Sequence, residues 1–231
     1  MIRDIEKEKI ITDYLTHLSD KSFPCVAAHE AATKNSIRCF VAGHMGCPHD
    51  DQAVLDFLYG FIDEYRNASI GYHSSAIIFK EPQSITEEMF EILLWQRLQS
   101  LSDLDALRYN YDNRVNPDTS SAHFSFSLKE EAFYVIGLYA GSSRHARQFK
   151  YPTLVFNPHA QFQKLREENH YSKMQQIVRK RDILYSGSVN PMLADFGSSP
   201  EVFQYSGREY DKDWKCPLKI KHGSIDHPPS P

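Results

Sequence analysis

Apolar residues recur at helical spacing along several stretches of the chain, and strand-like apolar runs lie between these stretches. The predicted helices cover residues 3–18, 26–33, 51–65 and 87–101. Asp50 or Asp51 is placed to cap the third of these helices, and Thr86 to cap the fourth. The predicted strands cover residues 37–42, 74–79, 124–128 and 132–139. The chain is therefore expected to mix helices and strands.

The clearest pairing signal is a hairpin near the middle of the chain. Large apolar residues alternate with Ser125 and Ser127 in residues 124–128, which predicts a strand with one buried face and one small, polar, wet face. Residues 129–131 are predicted to turn, and the next strand returns beside the first. Because this signal is antiparallel, the pattern favours an α+β fold, with a central mainly antiparallel sheet flanked by helices, over a doubly wound fold.

The last part of the chain has a different composition. Beyond Tyr185 it is rich in Gly, Ser, Pro and Asn, with only short apolar pieces. This composition predicts an irregular C-terminal segment wrapped on the domain and not a second core. Residues 1–226 are therefore expected to form a single domain, with residues 227–231 as a flexible tail.

His159 follows directly after a strand-like run that ends at Asn157-Pro158, within residues 152–162. An apolar, strand-like run stops at Asn157, which is predicted to cap a helix with Pro158 in its first position. His159 would then lie in the first helical turn, where the helix dipole disfavours imidazolium and favours the neutral ring that a metal needs. Because a histidine at such a position is more often a capping or hydrogen-bonded core residue, spacing alone leaves both roles open.

Composition narrows the class of protein. The chain of 231 residues is 41% hydrophobic, which is enough for a substantial core, and its formal net charge of −4 argues against a general nucleic-acid binder. No apolar run is long enough to span a bilayer, and the charged N-terminus has no secretory core, so a cytoplasmic location is expected. The four cysteines form no CxxC pair and no recognised zinc spacing, and they are expected to stay reduced.

Eight short motifs, in order along nearly the whole chain, resemble the YqcI/YcgG family. They are FPC at 23–25, FSFS at 124–127, SSRHAR at 142–147, VFNPHAQF at 155–162, RKRD at 179–182, NPMLADFG at 190–197, QYSGR at 204–208 and DWKCP at 213–217. Each motif is weak alone, but jointly they are specific. One departure is the dipeptide Tyr139-Ala140, which stands where many relatives have His-Pro and implies a different substrate if it lines the pocket.

The resemblance implies a haem-dependent oxygenase. Family members resemble enzymes that hydroxylate a guanidine nitrogen in pathways such as those to D-cycloserine and guanitoxin. The expected cofactor is haem b, and the expected substrates are O2 and arginine or an arginine-like small molecule. Because the chain has no nucleotide-binding glycine fingerprint, the electrons are expected from an external donor protein. The chain is not expected to bind nucleic acid or a membrane, and a homodimer is compatible with the sequence.

The resemblance also directs attention to residues that would hold the haem. His159 is the expected axial iron ligand, and Cys25 is the rival, since a thiolate ligand favours O–O cleavage. Phe162 is expected to pack against the ring. Guanidinium groups that would pair with the propionates belong to Arg144, Arg147 and Arg166, for each of which a solvated surface position is the alternative.

A guanidinium substrate needs carboxylate partners, which the loop-like segments supply. The candidate carboxylates are Asp112, Asp118, Asp195 and Glu201, each of which is otherwise a turn or cap residue. Ser125 lies on the small strand face, where a flat ring or a substrate could approach. No side chain is assigned a direct catalytic role.

Two other classes of function stay open at this point. A non-catalytic haem sensor or carrier would use His159 and fill the sixth iron position with a second histidine, for which the candidates are His73, His123 and His145. A plain interaction module would bind no cofactor.

Overall fold

A five-stranded sheet runs through the protein. The computed structural model describes residues 2–68, 71–167, 171–192, 197–211 and 213–222, and it describes side chains for all of these except residues 2–3, 164–167 and 171–173. The strands are β1 (Ile37–His44), β2 (Ser74–Glu81), β3 (Phe126–Leu128), β4 (Glu131–Leu138) and β5 (Thr153–Pro158). The helices are α1 (Ile2–Ser19), α2 (Val26–Thr33), α3 (Asp51–Arg66), α4 (Glu87–Asp105), α5 (His159–Glu167), α6 (Tyr171–Ser186) and α7 (Val202–Tyr205).

The strand order is β1-β2-β5-β4-β3. β1 and β2 are parallel and are connected through α3, whereas the other three pairs are antiparallel. The fold is therefore α+β, with a mainly antiparallel sheet, as the sequence pattern predicts. β5 is the central strand and pairs with β2 on one side and β4 on the other, so the strand that leads into α5 is held on both edges.

Both faces of the sheet are covered by apolar side chains. On one face α3 and α4 pack their buried residues, such as Leu58 and Leu94, against Phe133 and Phe156 of the sheet. On the other face, α1 and α2 pack against a second cluster. Because side chains alternate along a strand, Val155 joins this second cluster while its neighbour Phe156 joins the first. No helix in the described part of the chain is both long and apolar enough to cross a membrane.

The helices predicted from periodicity are confirmed, and their caps differ in detail. The Thr86 side chain accepts a hydrogen bond from the backbone N–H of Met89 at 3.2 Å, as a capping residue should. Asp50 stands at the N-cap of α3, but its carboxylate accepts from the backbone N–H of Gly43 at 2.7 Å instead. The predicted tail, residues 227–231, lies outside the described residues.

The predicted cap of α5 is wrong. Asn157 and Pro158 belong to β5, and the helix begins at His159. The Asn157 amide donates to the backbone oxygen of Tyr134 at 3.3 Å, and its oxygen accepts from the Ser74 hydroxyl at 3.1 Å. Asn157 therefore ties neighbouring strands together and does not cap the helix.

The prediction that the serine face of the hairpin is exposed to solvent is also wrong. Ser125 and Ser127 are both fully buried. The Ser127 hydroxyl accepts from the backbone N–H of Asp112 at 3.0 Å, and the Ser125 hydroxyl lies 2.9 Å from a carboxylate oxygen of Glu201. Loops from distant parts of the chain cover this face, which local alternation does not reveal.

Candidate functional site

A cavity of about 260 Å³ lies on the sheet face that α1 and α2 cover. This volume is close to the lower end of the range of small-molecule sites, roughly 300–1,000 Å³. Apolar side chains from several elements make up most of the wall, among them Tyr14, Leu18, Phe23, Ile136, Leu138 and Val155. The polar residues in the wall include Cys25, His73, Arg144, Arg147, His159, Asp182, Glu201 and Gln204.

His159 enters the cavity wall directly from the central strand β5. It is 5% exposed and is the first residue of α5. Gln161, two positions later, fixes the start of this helix, because its side chain accepts from the backbone N–H of His73 at 2.9 Å and donates to the His73 carbonyl at 3.1 Å. The imidazole is therefore carried by backbone that is held both in the sheet and across to the segment before β2.

Glu201 is the carboxylate beside this imidazole. Its Oε1 atom lies 3.8 Å from Nε2 of His159, and Glu201 is only 4% exposed. The Oε2 atom lies 2.9 Å from the Ser125 hydroxyl and 3.3 Å from the Tyr205 hydroxyl. Burial, followed by the charge of Glu201, raises the pKa of Tyr205, so this hydroxyl stays protonated and able to donate.

Two arginines also line the cavity. Arg147 is 8% exposed, and it donates to the carbonyls of Gly137 at 3.2 Å and Gln204 at 2.9 Å; burial lowers the pKa of its guanidinium. Arg144 pairs with Asp182 of α6 and donates to the Ser188 carbonyl at 2.8 Å. An anionic group in the cavity would therefore contact two guanidinium groups that already have partners. Arg147 is bonded to backbone carbonyls, and Arg144 is paired with Asp182.

Cys25 and Phe162 are the other predicted cofactor contacts in the wall. The Cys25 sulfur caps α2 by accepting from the backbone N–H of Ala28 at 3.4 Å. Burial also raises the pKa of this thiol. Because the Cys25 sulfur already serves as a helix cap, its contacts favour His159 over Cys25 as the candidate ligand.

The structure places the predicted substrate carboxylates in different parts of the molecule. Glu201 lines the cavity, whereas Asp112 and Asp118 are not among the described residues of its wall. Asp112 is 3% exposed and accepts from Arg114 and from the backbone N–H of Ala132 at 2.8 Å, and Asp118 is an exposed turn residue that bonds Ser120.

Other predicted residues fall outside the wall or outside the description. Ser125 is buried behind Glu201. Asp195 and the side chain of Arg166 lie outside the described residues. Tyr139, at the departure from the family pattern, stacks on Phe90 of α4 with a ring separation of 4.3 Å and does not appear in the described cavity wall.

The three histidines considered as second iron ligands are also separated. His73 lines the cavity. The ring of His145 stacks on Tyr185 at 4.4 Å, and the ring of His123 lies near Gly197; neither belongs to the described wall. His73 is thus the one of the three that shares a cavity with His159.

The residues in the wall fit the cofactor that the family resemblance implies. A haem requires an axial ligand, an apolar pocket for its ring and cations for its propionates. His159 offers the buried imidazole, residues such as Ile136 and Val155 form the apolar walls, and Arg144 and Arg147 offer the guanidinium groups. Sequence reasoning missed Asp182 and Gln161, whose roles depend on contacts between segments distant in sequence.

The fold and this cavity are those of a small α+β protein with one sheet and a buried histidine site. The sequence model of the YqcI/YcgG family matches residues 13–219, and the chain belongs to this family. It is 28% identical over 215 residues to a protein of Bacillus subtilis (strain 168) described as "Uncharacterized protein YqcI", a match that covers 88% of this chain and 83% of that protein. No solved structure gives a significant match.

Proposed function

We propose that this chain binds haem b in the cavity and hydroxylates a guanidine nitrogen of arginine or an arginine-like small molecule. The observation that carries the proposal is the buried imidazole of His159 in the wall of an apolar cavity that also contains arginine side chains. The family resemblance supplies the cofactor and the reaction class, and the residues of the cavity are those that such a cofactor requires.

In this proposal each wall residue has a separate task. His159 would hold the iron from the end of β5, where two neighbouring strands keep the backbone rigid. Arg147 and Arg144 would pair with the propionates, and Arg144 would share its guanidinium with Asp182, its partner in this structure. Phe162 and the apolar residues of α1 and α2 pack against the ring and exclude water.

The haem, when bound, supplies the activation of O2. One oxygen atom of O2 is inserted into an N–H bond of the guanidine group, and the other is reduced to water. The electrons come from a separate donor protein and the protons from solvent. We place this reaction in the cytoplasm. The chain's own contribution is to orient the substrate and to keep the cavity apolar.

Absorption spectroscopy and product analysis together test this proposal. Protein loaded with haem b is titrated with arginine and then supplied with a reductant and O2. We expect a saturable shift of the haem absorption and a product that is heavier by one oxygen atom, labelled when 18O2 is used. A haem-loaded protein that shows neither the shift nor the labelled product with arginine or other guanidines would contradict the proposal.

A non-catalytic haem sensor or carrier is the second candidate, and the position of His73 in the same cavity wall favours it. Such a protein would use His73 as a second iron ligand and leave no position for a gas. A low-spin ferrous spectrum that CO does not change, and that the His73→Ala variant loses, would support this candidate over the oxygenase.

A further inference from the structure

The buried carboxyl group of Glu201 lies beside the imidazole of His159. We propose that Glu201 is a positioning residue: with haem bound, it accepts a hydrogen bond from the ring N–H of His159 and so sets the orientation and electron donation of the axial ligand. This inference rests on the proposed function, because it concerns the same histidine.

The first support is the geometry of the two side chains. His159 and Glu201 both have side chains that are 6% exposed, and Nε2 lies 3.8 Å from Oε1. This separation exceeds a hydrogen bond by less than about 1 Å, since N–H···O bonds span roughly 2.7–3.2 Å. A hydrogen bond between these atoms requires them to approach by roughly 0.6 Å, and it leaves Nδ1 as the ring nitrogen that would bind iron.

The second support is the way the Glu201 carboxyl group is held. Its Oε2 atom lies within hydrogen-bonding distance of the hydroxyls of Ser125 and Tyr205, whereas Oε1 is the oxygen that lies toward the imidazole. The Tyr205 hydroxyl also accepts from the backbone N–H of Phe126 at 3.1 Å, which fixes its own position. Both hydroxyls also lie within bonding distance of the Phe133 carbonyl, at 3.1 Å and 3.3 Å, so Oε2 belongs to this shared group of contacts while Oε1 lies toward His159.

The third support is the chemistry of such pairs. A carboxylate that accepts the N–H of a metal-bound imidazole fixes the tautomer and raises the basicity of the ligand. A more basic imidazole stabilises the ferric state more than the ferrous state, and therefore lowers the reduction potential of the iron. Removing this acceptor should raise the potential, an effect that loss of packing alone does not predict.

The test compares haem-loaded wild-type protein with Glu201→Gln, Glu201→Ala and a matched control, Glu91→Gln. Glu91 is another buried glutamate, on α4, where it bonds Arg208 and Trp214, and it does not appear in the described wall of the cavity. Haem affinity is measured by titration, and the reduction potential by spectroelectrochemistry. Circular dichroism confirms that each variant is folded.

We expect Glu201→Gln to raise the reduction potential and Glu201→Ala to weaken haem binding by about 10–100-fold, as for other residues that support a metal ligand. The Glu91→Gln protein should match wild type in both measurements. Ser125→Ala, which keeps the carboxyl group but removes one of its anchors, should shift the potential in the same direction by a smaller amount.

Two outcomes would overturn the inference and are distinguishable. If the wild-type protein binds haem through His159 but Glu201→Gln and Glu91→Gln have the same potential, Glu201 has no positioning role and the proposed function stands. If the wild-type protein binds no haem, the proposed function fails and this inference fails with it.

Discussion

The buried carboxyl group of Asp112 accepts several hydrogen bonds beside the hairpin. Replacing Asp112 by Asn is therefore expected to destabilise the fold. Oδ1 accepts from the backbone N–H of Arg114 at 2.9 Å, and Oδ2 accepts from the Arg114 guanidinium at 2.6 Å and from the backbone N–H of Ala132 at 2.8 Å. In the Asp112→Asn protein one of these oxygens becomes an NH2 group. This NH2 group and the N–H groups that it faces are all donors, so they are left without an acceptor in a buried position.

The size of the effect follows from these contacts. Breaking a buried ion pair costs about 3–5 kcal/mol. Arg114 is about half exposed and also pairs with Glu131 at 2.9 Å, so solvent and a second partner reduce the loss. We expect Asp112→Asn to lower the free energy of unfolding by about 2–3 kcal/mol at pH 7.

The pH dependence gives an independent check. Burial raises the pKa of Asp112, but the hydrogen bonds from Arg114 and Ala132 outweigh it, and the net shift is downward. A carboxyl group whose pKa is lower in the folded state stabilises the fold above its unfolded value of about 3.9, and the stabilisation is lost as pH falls through the folded pKa. The difference between wild type and Asp112→Asn should therefore be constant near neutrality and narrow below about pH 4.

Urea unfolding followed by tryptophan fluorescence measures this difference, with Asp118→Asn as the control. Asp118 is exposed, and its side chain bonds Ser120 within its own turn, so its replacement should change the unfolding curve little. Equal unfolding free energies for wild type and Asp112→Asn at pH 7 would refute the reasoning.

Three further predictions concern packing, the hairpin turn and the rival ligand. Gly137→Ala would place a Cβ atom 2.8 Å from the Phe90 ring and should lower the free energy of unfolding by about 1–3 kcal/mol through overpacking. Gly60→Ala places its Cβ atom with nothing within 4 Å and should stabilise α3 by about 0.5–1 kcal/mol. Urea midpoints that shift in the same direction for both variants would contradict this pair of predictions. Glu130 has a φ of 56°, so Glu130→Gly should raise the melting temperature, and an unchanged or lower value would count against relief of strain. Cys25→Ser should keep the haem spectrum of wild type, and a lost or shifted Soret band would make the thiol the ligand.

Local sequence patterns are enough to predict most elements of this fold. The period of apolar residues in α3 and α4 is long and regular, and the strands have the composition of buried segments, so each element is visible without its neighbours. The parallel pairing of β1 with β2 is different, because it joins segments separated by a whole helix. The structure differs from the predicted cap at Asn157 because contacts with Ser74 and Tyr134, which are distant in the sequence, override the local preference.

The candidate site was only partly predictable. The motifs around Cys25, Arg147 and His159 point to residues that the structure brings into one cavity wall, although they come from different elements. The contact of Glu201 with Ser125 joins residues 76 positions apart, and no local pattern encodes it. Asp112 has the sequence context of a loop carboxylate, but its contact with Ala132 on β4, together with Arg114 two residues further along the same loop, makes it a structural tie.

The haem absorption spectrum of the His159→Ala protein tests the central claim most directly. Wild type, His159→Ala and His73→Ala are loaded with haem b under identical conditions, and the bound haem is measured per protein chain. The account predicts that wild type and His73→Ala bind haem with matching spectra and that His159→Ala loses the haem or its characteristic Soret band. Equal haem content and an identical spectrum for the His159→Ala protein would contradict it.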